Sequence, residues 1–466
     1  MIRGMLALFL ATTPGVIPPG TGSTKHIATT TRVELSAGSL QSPVPSPQPP
    51  AADSRSPVIG SQSPGTELTV YLMTMGYGDQ VWERFGHNAI RIVDATQGTD
   101  SVYNWGTFDF QQPNFLRRFM TGNTLYWMQG DGMAEEMAKY RYLNRSVWVQ
   151  ELDLTPAERV AVREFITWNA QPDNRYYRYD YYLDNCSTRV RDLIDRIVGG
   201  QLKAATAERL TSTTYRFHTQ RTLQFDGAVA LGTDIGLGAV ADRPISQWEE
   251  AFLPTRLQAH VRGVQLRAAD GTTRPLVKSE QELFTANRPT EPTEPPSTTF
   301  RNLAIGAAVA AVIWLLARAT SVGRRGARLG FVTVATVWTA LNGLLGVILI
   351  VGWTATRHVF MARNENLLQF DPLSLGLAVV LPLAVARGRA TGAARLLSTG
   401  VAAIAVAGLA MKLTPWFDQT NIAVIALTLP AHLVIAWAVR ALTAAPASAP
   451  APTRESAAAA VSRSVA

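Results

Sequence analysis

A lone cysteine is the residue of this sequence best suited to covalent chemistry. Cys186 is the only cysteine among 466 residues, so it cannot form an intramolecular disulfide. It stands in YDYYLDNCSTRVRDLID, where an aromatic segment gives way to a predicted helix. A thiol in the first turn of a helix faces unpaired N–H groups and the positive end of the macrodipole, which favour the thiolate. The alternative is a small buried residue that fills space.

A thiol nucleophile needs a base, and the histidines are few. His87 lies in WERFGHNAIRIV, after a glycine and at the start of a predicted strand, which would hold its imidazole on a rigid element. The alternative is a half-buried strand histidine bonded to a backbone carbonyl. His218 and His260 stand in contexts typical of surface or packing residues. His432 lies in an apolar stretch, as expected of a residue that bonds between packed helices.

Several polar residues near this pair are candidates for supporting roles. A group that orients the base is usual in such sites, and Asn104, Asp109 and Asp184 are candidates, although each is equally typical of a turn or cap. Asn185 is a candidate for binding a developing oxyanion together with the backbone N–H of Cys186. We find no phosphate-binding glycine loop, dinucleotide fingerprint or metal-ligand cluster in the sequence, so no cofactor and no metal are expected.

The elements that would position these residues predict an α+β domain over residues 67–285. ELTVYLMTM and HNAIRIV have the alternation of strands. LTPAERVAVREFITWNA predicts a helix with Thr155 as N-cap and Glu158 closing a capping box. NCSTRVRDLIDRIVGG predicts a second helix, ended by its two glycines. VQLRAADGTTRPLV predicts a hairpin around Asp270 and Gly271.

The C-terminal part of the sequence predicts a membrane domain over residues 302–442. This region holds only 14 charged residues. Its apolar stretches indicate about five transmembrane helices, although several are shorter than the roughly 20 residues of an ideal span; they lie at about 302–317, 330–352, 373–386, 396–411 and 421–439. The arginine-containing loops 318–328 and 387–395 are expected to be cytoplasmic by the positive-inside rule. The domain 67–285 would then lie outside and the C-terminus inside.

The remaining segments are predicted to be targeting, linking and terminal regions. Residues 1–18 are interpreted as a signal peptide or N-terminal anchor and 19–66 as a disordered Pro/Ser-rich tether. Residues 286–301 form a Pro-rich linker and 443–466 a disordered cytoplasmic tail. The net charge of +8 does not indicate nucleic-acid binding, because the arginines of the apolar half lie in short loops and not on a continuous basic face.

Four aromatic-rich blocks carry a family resemblance: VWERFGHNAIRIVD, YNWGTFDF, YDYYLDNCSTRVRDLID and RPISQWEEAFLPTRL. In this order, over residues 67–262, they resemble the Lnb-type periplasmic-domain family, whose namesake is a bacterial lipoprotein N-acyltransferase. The matching His and Cys of that family are its expected catalytic pair, which implies His87 and Cys186. HVFMARNENLLQFDPL resembles a loop of the same family. The resemblance implies His358, Asn364 and Asn366 as external-loop substrate contacts.

The order of His before Cys, and an Asn-Cys pair that opens a helix, are similar to the circularly permuted papain-like enzymes. The segment after the cysteine departs from the lecithin:retinol acyltransferase group of those enzymes, so this comparison bears on fold and on the His/Cys pair, not on substrate. It implies an α+β, circularly permuted papain-like, thiol acyltransferase-like extracytoplasmic domain. An all-α bundle of about five transmembrane helices would follow it.

Three functions remain open from the sequence. The first is a cysteine acyltransferase of the cytoplasmic (inner) membrane, with residues 67–285 on the periplasmic side. It would move an acyl chain from a phospholipid donor, through a thioester on Cys186, to the N-terminal amine of a diacylated lipoprotein acceptor. The second is an extracytoplasmic papain-like hydrolase of cell-wall peptides or lipid esters. The third is a non-enzymatic, membrane-anchored sensing domain in which Cys186 is structural.

Overall fold

A computed structural model describes residues 64–444, which form two compact units. The first unit comprises residues 64–233 and Arg243–Pro296, and the second comprises Asp234–Asp242 and the chain from Ser297 onward. The predicted signal peptide or anchor, all but the last residues of the tether, and all but the start of the tail lie outside the described residues. The segment Asp234–Asp242, which we expected within the 67–285 domain, belongs to the second unit.

The first unit is built on a seven-stranded antiparallel sheet. The strands of the described chain are β1 (Leu68–Met75), β2 (His87–Asp94), β3 (Thr99–Thr107), β4 (Leu125–Gly132), β5 (Val147–Leu152), β6 (Tyr176–Arg178), β7 (Gln265–Arg267), β8 (Thr273–Pro275) and β9 (Val277–Phe284). The sheet has the order β6-β4-β3-β2-β1-β5-β9, and β7 and β8 pair as a separate hairpin. The strands and the hairpin predicted from the sequence are confirmed.

Helices cover both faces of this sheet. The helices of this part of the chain are α1 (Phe115–Met120), α2 (Met133–Tyr142), α3 (Pro156–Asn169), α4 (Cys186–Ile197), α5 (Gln201–Thr206), α6 (Tyr215–Leu223), α7 (Gly227–Gly236), α8 (Gln247–Glu250) and α9 (Pro254–Arg262). Apolar residues of α3, α4 and α9 form one core with the sheet. Met133 and Tyr140 of α2 form a second core on the opposite face.

The central strand β1 explains why the sheet is buried on both sides. Leu68 and Leu72 belong to the larger core, whereas Met73 and Met75 belong to the core beneath α2. A strand covered on both faces has a nearly continuous apolar sequence, as LTVYLMTM has. The larger core also receives Val190 of α4, which fixes the helix that carries Cys186 against the sheet.

Local signals set the ends of the two predicted helices. Thr155 accepts a hydrogen bond from the Glu158 N–H at 3.3 Å, and the Glu158 carboxylate accepts one from the Thr155 N–H at 2.7 Å. This capping box confirms the predicted start of α3. After α4, Gly199 and Gly200 have φ values of 67° and 82°, a left-handed conformation that suits glycine and ends the helix.

The second unit contains five apolar helices: α10 (Thr299–Ser321), α11 (Arg325–Ala355), α12 (Leu373–Arg387), α13 (Thr391–Met411) and α14 (Ile422–Thr443). By length and composition, five segments of the described chain could each cross a membrane. The helices are longer than the predicted apolar stretches, and their additional residues include arginines such as Arg318 and Arg325. Close helix packing uses small residues: a Cβ on Gly306 of α10 would lie 2.5 Å from the Leu427 carbonyl oxygen of α14.

Candidate active site

Cys186 is the first residue of α4, and its thiol is partly buried. The neighbouring strand β3 comes close at Gly106, where a Cβ would lie 3.5 Å from the Cys186 Cβ. Gly106 has a φ of 98° and lies where the pairing of β3 with β4 shifts register between Trp105 and Thr107. An L residue with a side chain rarely adopts this conformation, so glycine lets β3 bend past the thiol.

The charge state of the thiol is set by opposing effects. Burial raises the pKa of the Cys186 thiol above its ordinary value. The backbone N–H groups of Asn88, Ser187 and Cys186 itself and the guanidinium of Arg145 lower this pKa, but they do not cancel the effect of burial. The resting thiol is therefore protonated at neutral pH, and donors that favour its anion already surround it.

His87 is the first residue of β2, and its ring is held by Asn104 of β3. The distance from His87 Nε2 to Asn104 Oδ1 is 3.0 Å. Burial, followed by the charges of Arg145 and Lys139, lowers the pKa of His87 to about 3, whereas the hydrogen bond with Asn104 raises it. The imidazole is therefore neutral at physiological pH and can accept a proton.

The hydrogen bonds of Asn104 decide which nitrogen of His87 is the base. The Asn104 Nδ2 group donates to Glu136 Oε1 at 3.3 Å, which turns the Oδ1 atom toward the His87 ring. Because a carbonyl oxygen only accepts, His87 Nε2 carries the proton and Nδ1 keeps the lone pair. Of the three candidates for an orienting residue, Asn104 is the one that contacts the His87 ring, and its orienting role stays a prediction.

The residues that follow His87 and Cys186 join β2 to α4. Ser187 Oγ donates to Asn88 Oδ1 at 2.8 Å and lies 2.7 Å from the Ala251 carbonyl oxygen. The Asn88 amide group donates to Thr74 Oγ1 of β1 at 2.9 Å. All of these polar side chains are buried. The start of β2 and the start of α4 are therefore fixed together, which brings the two predicted catalytic residues to the same end of the sheet.

Sequence reasoning missed two buried charged residues beside the site. Glu136 of α2 is 2% exposed, and its Oε1 atom also receives a bond of 2.7 Å from Lys139. Arg145, which follows α2, donates to the Gly76 carbonyl at 2.8 Å, and its Nη2 atom has no hydrogen-bond partner among the described residues. In the sequence, Glu136 could be noticed only as a carboxylate on the inward face of α2. Its position beside Asn104 follows only once the pairing of β3 with β4 is known.

The other three candidates near Cys186 have structural roles in the arrangement observed. Asn185 caps α4: its Oδ1 atom accepts from the N–H groups of Ser187 and Thr188, both at 2.9 Å, and its amide group donates to two carbonyls. Asp109 lies in an exposed turn and accepts from the Gln111 N–H at 2.7 Å. The Asp184 carboxylate pairs with Arg189. Within residues 64–444, the hydrogen bonds and ion pairs named here for these three side chains join them to groups other than His87.

The predicted external-loop contacts lie in the second unit, where two of them are buried. Asn364 donates to the carbonyls of Ile235 and Gly236, each at 2.9 Å. Asn366 donates to the carbonyls of Asp234 and Ile235 at 3.1 and 3.0 Å. These carbonyls end α7 and lack helical partners. The two amides therefore cap a helix, and their expected role as substrate contacts stays a prediction. His358 is partly exposed and precedes the turn Val359–Met361.

Three further histidines have packing roles. His218 is fully buried and lies 2.9 Å from Glu250 Oε1, and His260 lies 2.8 Å from Glu250 Oε2. His432 bonds the Gln369 carbonyl at 3.0 Å, which confirms its predicted role between packed elements. Within residues 64–444, no group of three or more His, Cys, Asp and Glu side chains is arranged to hold a metal ion.

Alkylation of Cys186 by iodoacetamide in the detergent-solubilised full chain is expected to accelerate through pH 9 and above. Because burial raises the thiol pKa, the thiolate fraction grows about tenfold for each pH unit below that pKa. His87 stays neutral over this range. Mass spectrometry of the single cysteine measures the rate. A rate that is already constant above pH 6 would indicate a preformed thiolate–imidazolium pair and contradict this charge assignment.

Replacing Asn104 by alanine is expected to slow the reaction of Cys186 with an activated ester by roughly 100-fold, because the His87 ring loses the oxygen that fixes its tautomer and orientation. The matched control is Asp109→Asn, which keeps an acceptor for the Gln111 N–H and is expected to retain the rate within about twofold. Stopped-flow release of nitrophenol from a short-chain nitrophenyl ester measures both variants. Equal rates for the two would exclude Asn104 as the orienting residue.

Comparison with known proteins identifies the domain that carries this site. Residues 58–222 match the family model of the Lnb N-terminal periplasmic domain, a range that contains both His87 and Cys186. No curated protein and no solved structure matches the chain. Together with the five candidate spans, the match supports a multi-pass membrane protein whose extracytoplasmic N-terminal part contains an Lnb-type periplasmic domain.

Proposed function

We propose that this protein is a membrane-bound cysteine acyltransferase that uses Cys186 as nucleophile and His87 as base. The observation that carries the proposal is the shared end of β2 and α4, where the Asn88 N–H acts on the thiol and Asn104 fixes the His87 tautomer. A nucleophile, a base and a group that orients the base are the three parts that such chemistry requires. The membrane helices would keep the site close to lipid substrates.

In the first half-reaction the thiol attacks the ester carbonyl of a phospholipid. The sulfur–carbon bond forms as the thiol proton moves to His87 Nδ1, and the carbonyl oxygen becomes an oxyanion. The N–H groups at the start of α4 and the positive end of its dipole stabilise this charge. The carbon–oxygen bond of the ester then breaks, His87 returns the proton to the leaving glycerol oxygen, and a lysophospholipid departs. The acyl chain remains as a Cys186 thioester.

In the second half-reaction an amine attacks the thioester carbonyl. The nitrogen–carbon bond forms, the amine proton passes to His87, the carbon–sulfur bond breaks, and the thiolate recovers the proton. The attacking amine must be neutral, and an α-amino group has a pKa of about 7.7–8.0. The N-terminal amine of a diacylated lipoprotein meets this requirement and is the acceptor that the family resemblance implies.

The proposal includes a fold assignment and a topology. A strand-borne histidine that precedes a helix-borne cysteine, with an asparagine behind the histidine, supports a circularly permuted papain-like core. The arginines between α10 and α11, and those between α12 and α13, support a cytoplasmic side for these loops and for the C-terminus.

The acceptor is tested with the full chain reconstituted in vesicles that contain phospholipid with an isotopically labelled acyl chain. A synthetic diacylated lipopeptide is added, and lysophospholipid, free fatty acid and N-acylated lipopeptide are measured by mass spectrometry. We expect labelled N-acyl lipopeptide and an equal amount of lysophospholipid, both absent with Cys186→Ala. If free fatty acid forms and no acylated lipopeptide is detected, the protein is a lipid-ester hydrolase and the acyltransferase proposal is contradicted. If no lysophospholipid is released at all, the cell-wall peptide hydrolase and the sensing domain are favoured over this proposal.

A further inference from the structure

An exposed cluster of aromatic rings lies on the first unit beside Cys186. We call it the aromatic patch; it consists of Trp82, Phe108, Phe110, Phe115, Phe119 and Tyr181. Neighbouring rings of the patch contact each other: the ring centroids of Phe108 and Phe110 are 4.8 Å apart, and those of Phe110 and Phe115 are 5.2 Å apart. Trp82 and Phe110 are 49% and 48% exposed. The rings pack on one another but leave a contiguous apolar surface exposed to water, which is typical of an interaction site.

The short helix α1 adds aliphatic and basic side chains to the same surface. Leu116 and Met120 are 47% and 60% exposed. Arg117 and Arg118 lie between them, and neither forms an ion pair with the part of the chain that the structure describes. The one acidic residue inserted among the patch rings, Asp109, accepts from the Gln111 N–H. An exposed apolar surface with unpaired arginines is the composition of elements that lie in the interface of a bilayer.

The aromatic patch continues inward to the thiol. Phe108 stacks on Tyr126 with a centroid distance of 4.9 Å, and Tyr126 stacks on Tyr179 at 4.2 Å. Tyr179 in turn lies beside Gly106, within 4.0 Å of the position its Cβ would take, and that position is 3.5 Å from the Cys186 Cβ. A path of packed aromatic rings therefore joins helix α1 to the backbone beside the nucleophile.

We propose that the aromatic patch and α1 bind the surface of a phospholipid bilayer, with Leu116 and Met120 entering the acyl region and Arg117 and Arg118 contacting anionic headgroups. This inference deepens the proposed function, on which it rests for the identity of the acyl donor. The path through Tyr126 and Tyr179 then guides the acyl chain to Cys186. The unpaired arginines favour an anionic lipid surface over a second copy of this domain, since the same arginines would face each other across a symmetric contact.

Membrane contact is measured without any requirement for catalysis. Cys186→Ala removes the only cysteine, and Met120→Cys then provides a single site for a nitroxide label in the full chain. The labelled protein is reconstituted in phosphatidylcholine/phosphatidylglycerol vesicles, and its collision rates with oxygen and with a water-soluble nickel chelate are compared. The control is Leu210→Cys, which places the label at a site that is 73% exposed and outside the patch.

At position 120 we expect oxygen accessibility to exceed that at position 210 and nickel accessibility to fall at least fivefold below it. Arg117→Gln combined with Arg118→Gln should reduce this protection in vesicles that contain phosphatidylglycerol. Equal nickel accessibility at the two positions would overturn the inference. Protection at position 120 that persists in detergent at high protein concentration, and is lost when the protein is diluted, would instead identify a second copy as the occupant.

A kinetic experiment separates this inference from the proposed function. Leu116→Asp combined with Met120→Asp should slow acylation of Cys186 by vesicle phospholipid at least tenfold, while acylation by a water-soluble nitrophenyl ester stays unchanged. The ester reports that the variant is folded and its nucleophile intact. Equal slowing with both donors would contradict a lipid-binding role for α1. The label at position 120 could be protected from the nickel chelate by vesicles although Cys186 never forms a thioester. That result would support the membrane contact and contradict the acyltransferase proposal.

Discussion

Replacing Cys186 by serine is expected to lower lysophospholipid release by about 10⁶-fold, the scale on which loss of an enzymatic nucleophile acts. The hydroxyl is a much weaker acid than the thiol, and burial already opposes an anion at this position. Because the pKa of His87 is about 3, proton transfer to it from the less acidic hydroxyl is more unfavourable than transfer from the thiol. Release of lysophospholipid from vesicles, followed by mass spectrometry, measures the loss.

Serine is the strictest control available at this position because it keeps the size and the hydrogen-bonding capacity of the side chain. Thermal unfolding of Cys186→Ser in detergent should match that of the parent chain, since the cap of α4 comes from Asn185 and does not involve the thiol. A Cys186→Ser protein that is folded and retains a tenth or more of the parent rate would remove the nucleophile from the mechanism.

Replacing His87 by glutamine is expected to reduce the rate of Cys186 acylation by 10²–10⁴-fold, the usual contribution of a general base. The glutamine amide can still donate to Asn104 Oδ1, so the hydrogen bond that holds position 87 is retained while the proton acceptor is lost. Burst kinetics with a soluble nitrophenyl ester separate this chemical step from lipid binding.

The pH dependence distinguishes a lost base from a distorted site. In the His87→Gln protein the remaining acylation should depend on free hydroxide and rise about tenfold per pH unit up to the raised pKa of the thiol. Added imidazole should restore part of the rate. A His87→Gln protein whose rate and pH profile equal those of the parent would show that His87 is a packing residue.

Much of the fold could be predicted from local sequence signals. The capping box of Thr155 and Glu158 and the paired glycines after α4 each specify a helix end through backbone chemistry within a few residues. The alternation of HNAIRIV predicts β2, and long apolar stretches predict the five helices of the second unit. These features depend on neighbours in the sequence, so the sequence contains them explicitly.

The order of the sheet and the surroundings of His87 depend on distant residues. β5 pairs with β9, more than one hundred residues later, and no local pattern indicates that pairing. Glu136 was missed because its role follows from a contact with Asn104 across α2 and β3. Distinguishing Asn104 from Asp109 required knowing which side chain faces the ring, whereas both lie in the same aromatic block of the sequence.

The asparagines of the second unit have contacts that the sequence did not indicate. Asn364 and Asn366 lie in HVFMARNENLLQFDPL, and the family resemblance of that segment implies them as substrate contacts. The carbonyls that end α7 are the groups they satisfy, and those carbonyls are well over one hundred residues away in the chain. A buried helix end needs such partners, but sequence alone does not indicate which distant amides provide them.

The thioester on Cys186 is tested most directly by intact-protein mass spectrometry. The detergent-purified full chain is incubated with phospholipid, and Cys186→Ala and His87→Ala are treated in parallel. The mechanism predicts a mass increase of one acyl chain on the parent protein alone, removed by hydroxylamine, with release of lysophospholipid. If Cys186 is intact and no phospholipid tested gives either an acyl adduct or lysophospholipid, acyl transfer through this residue is contradicted.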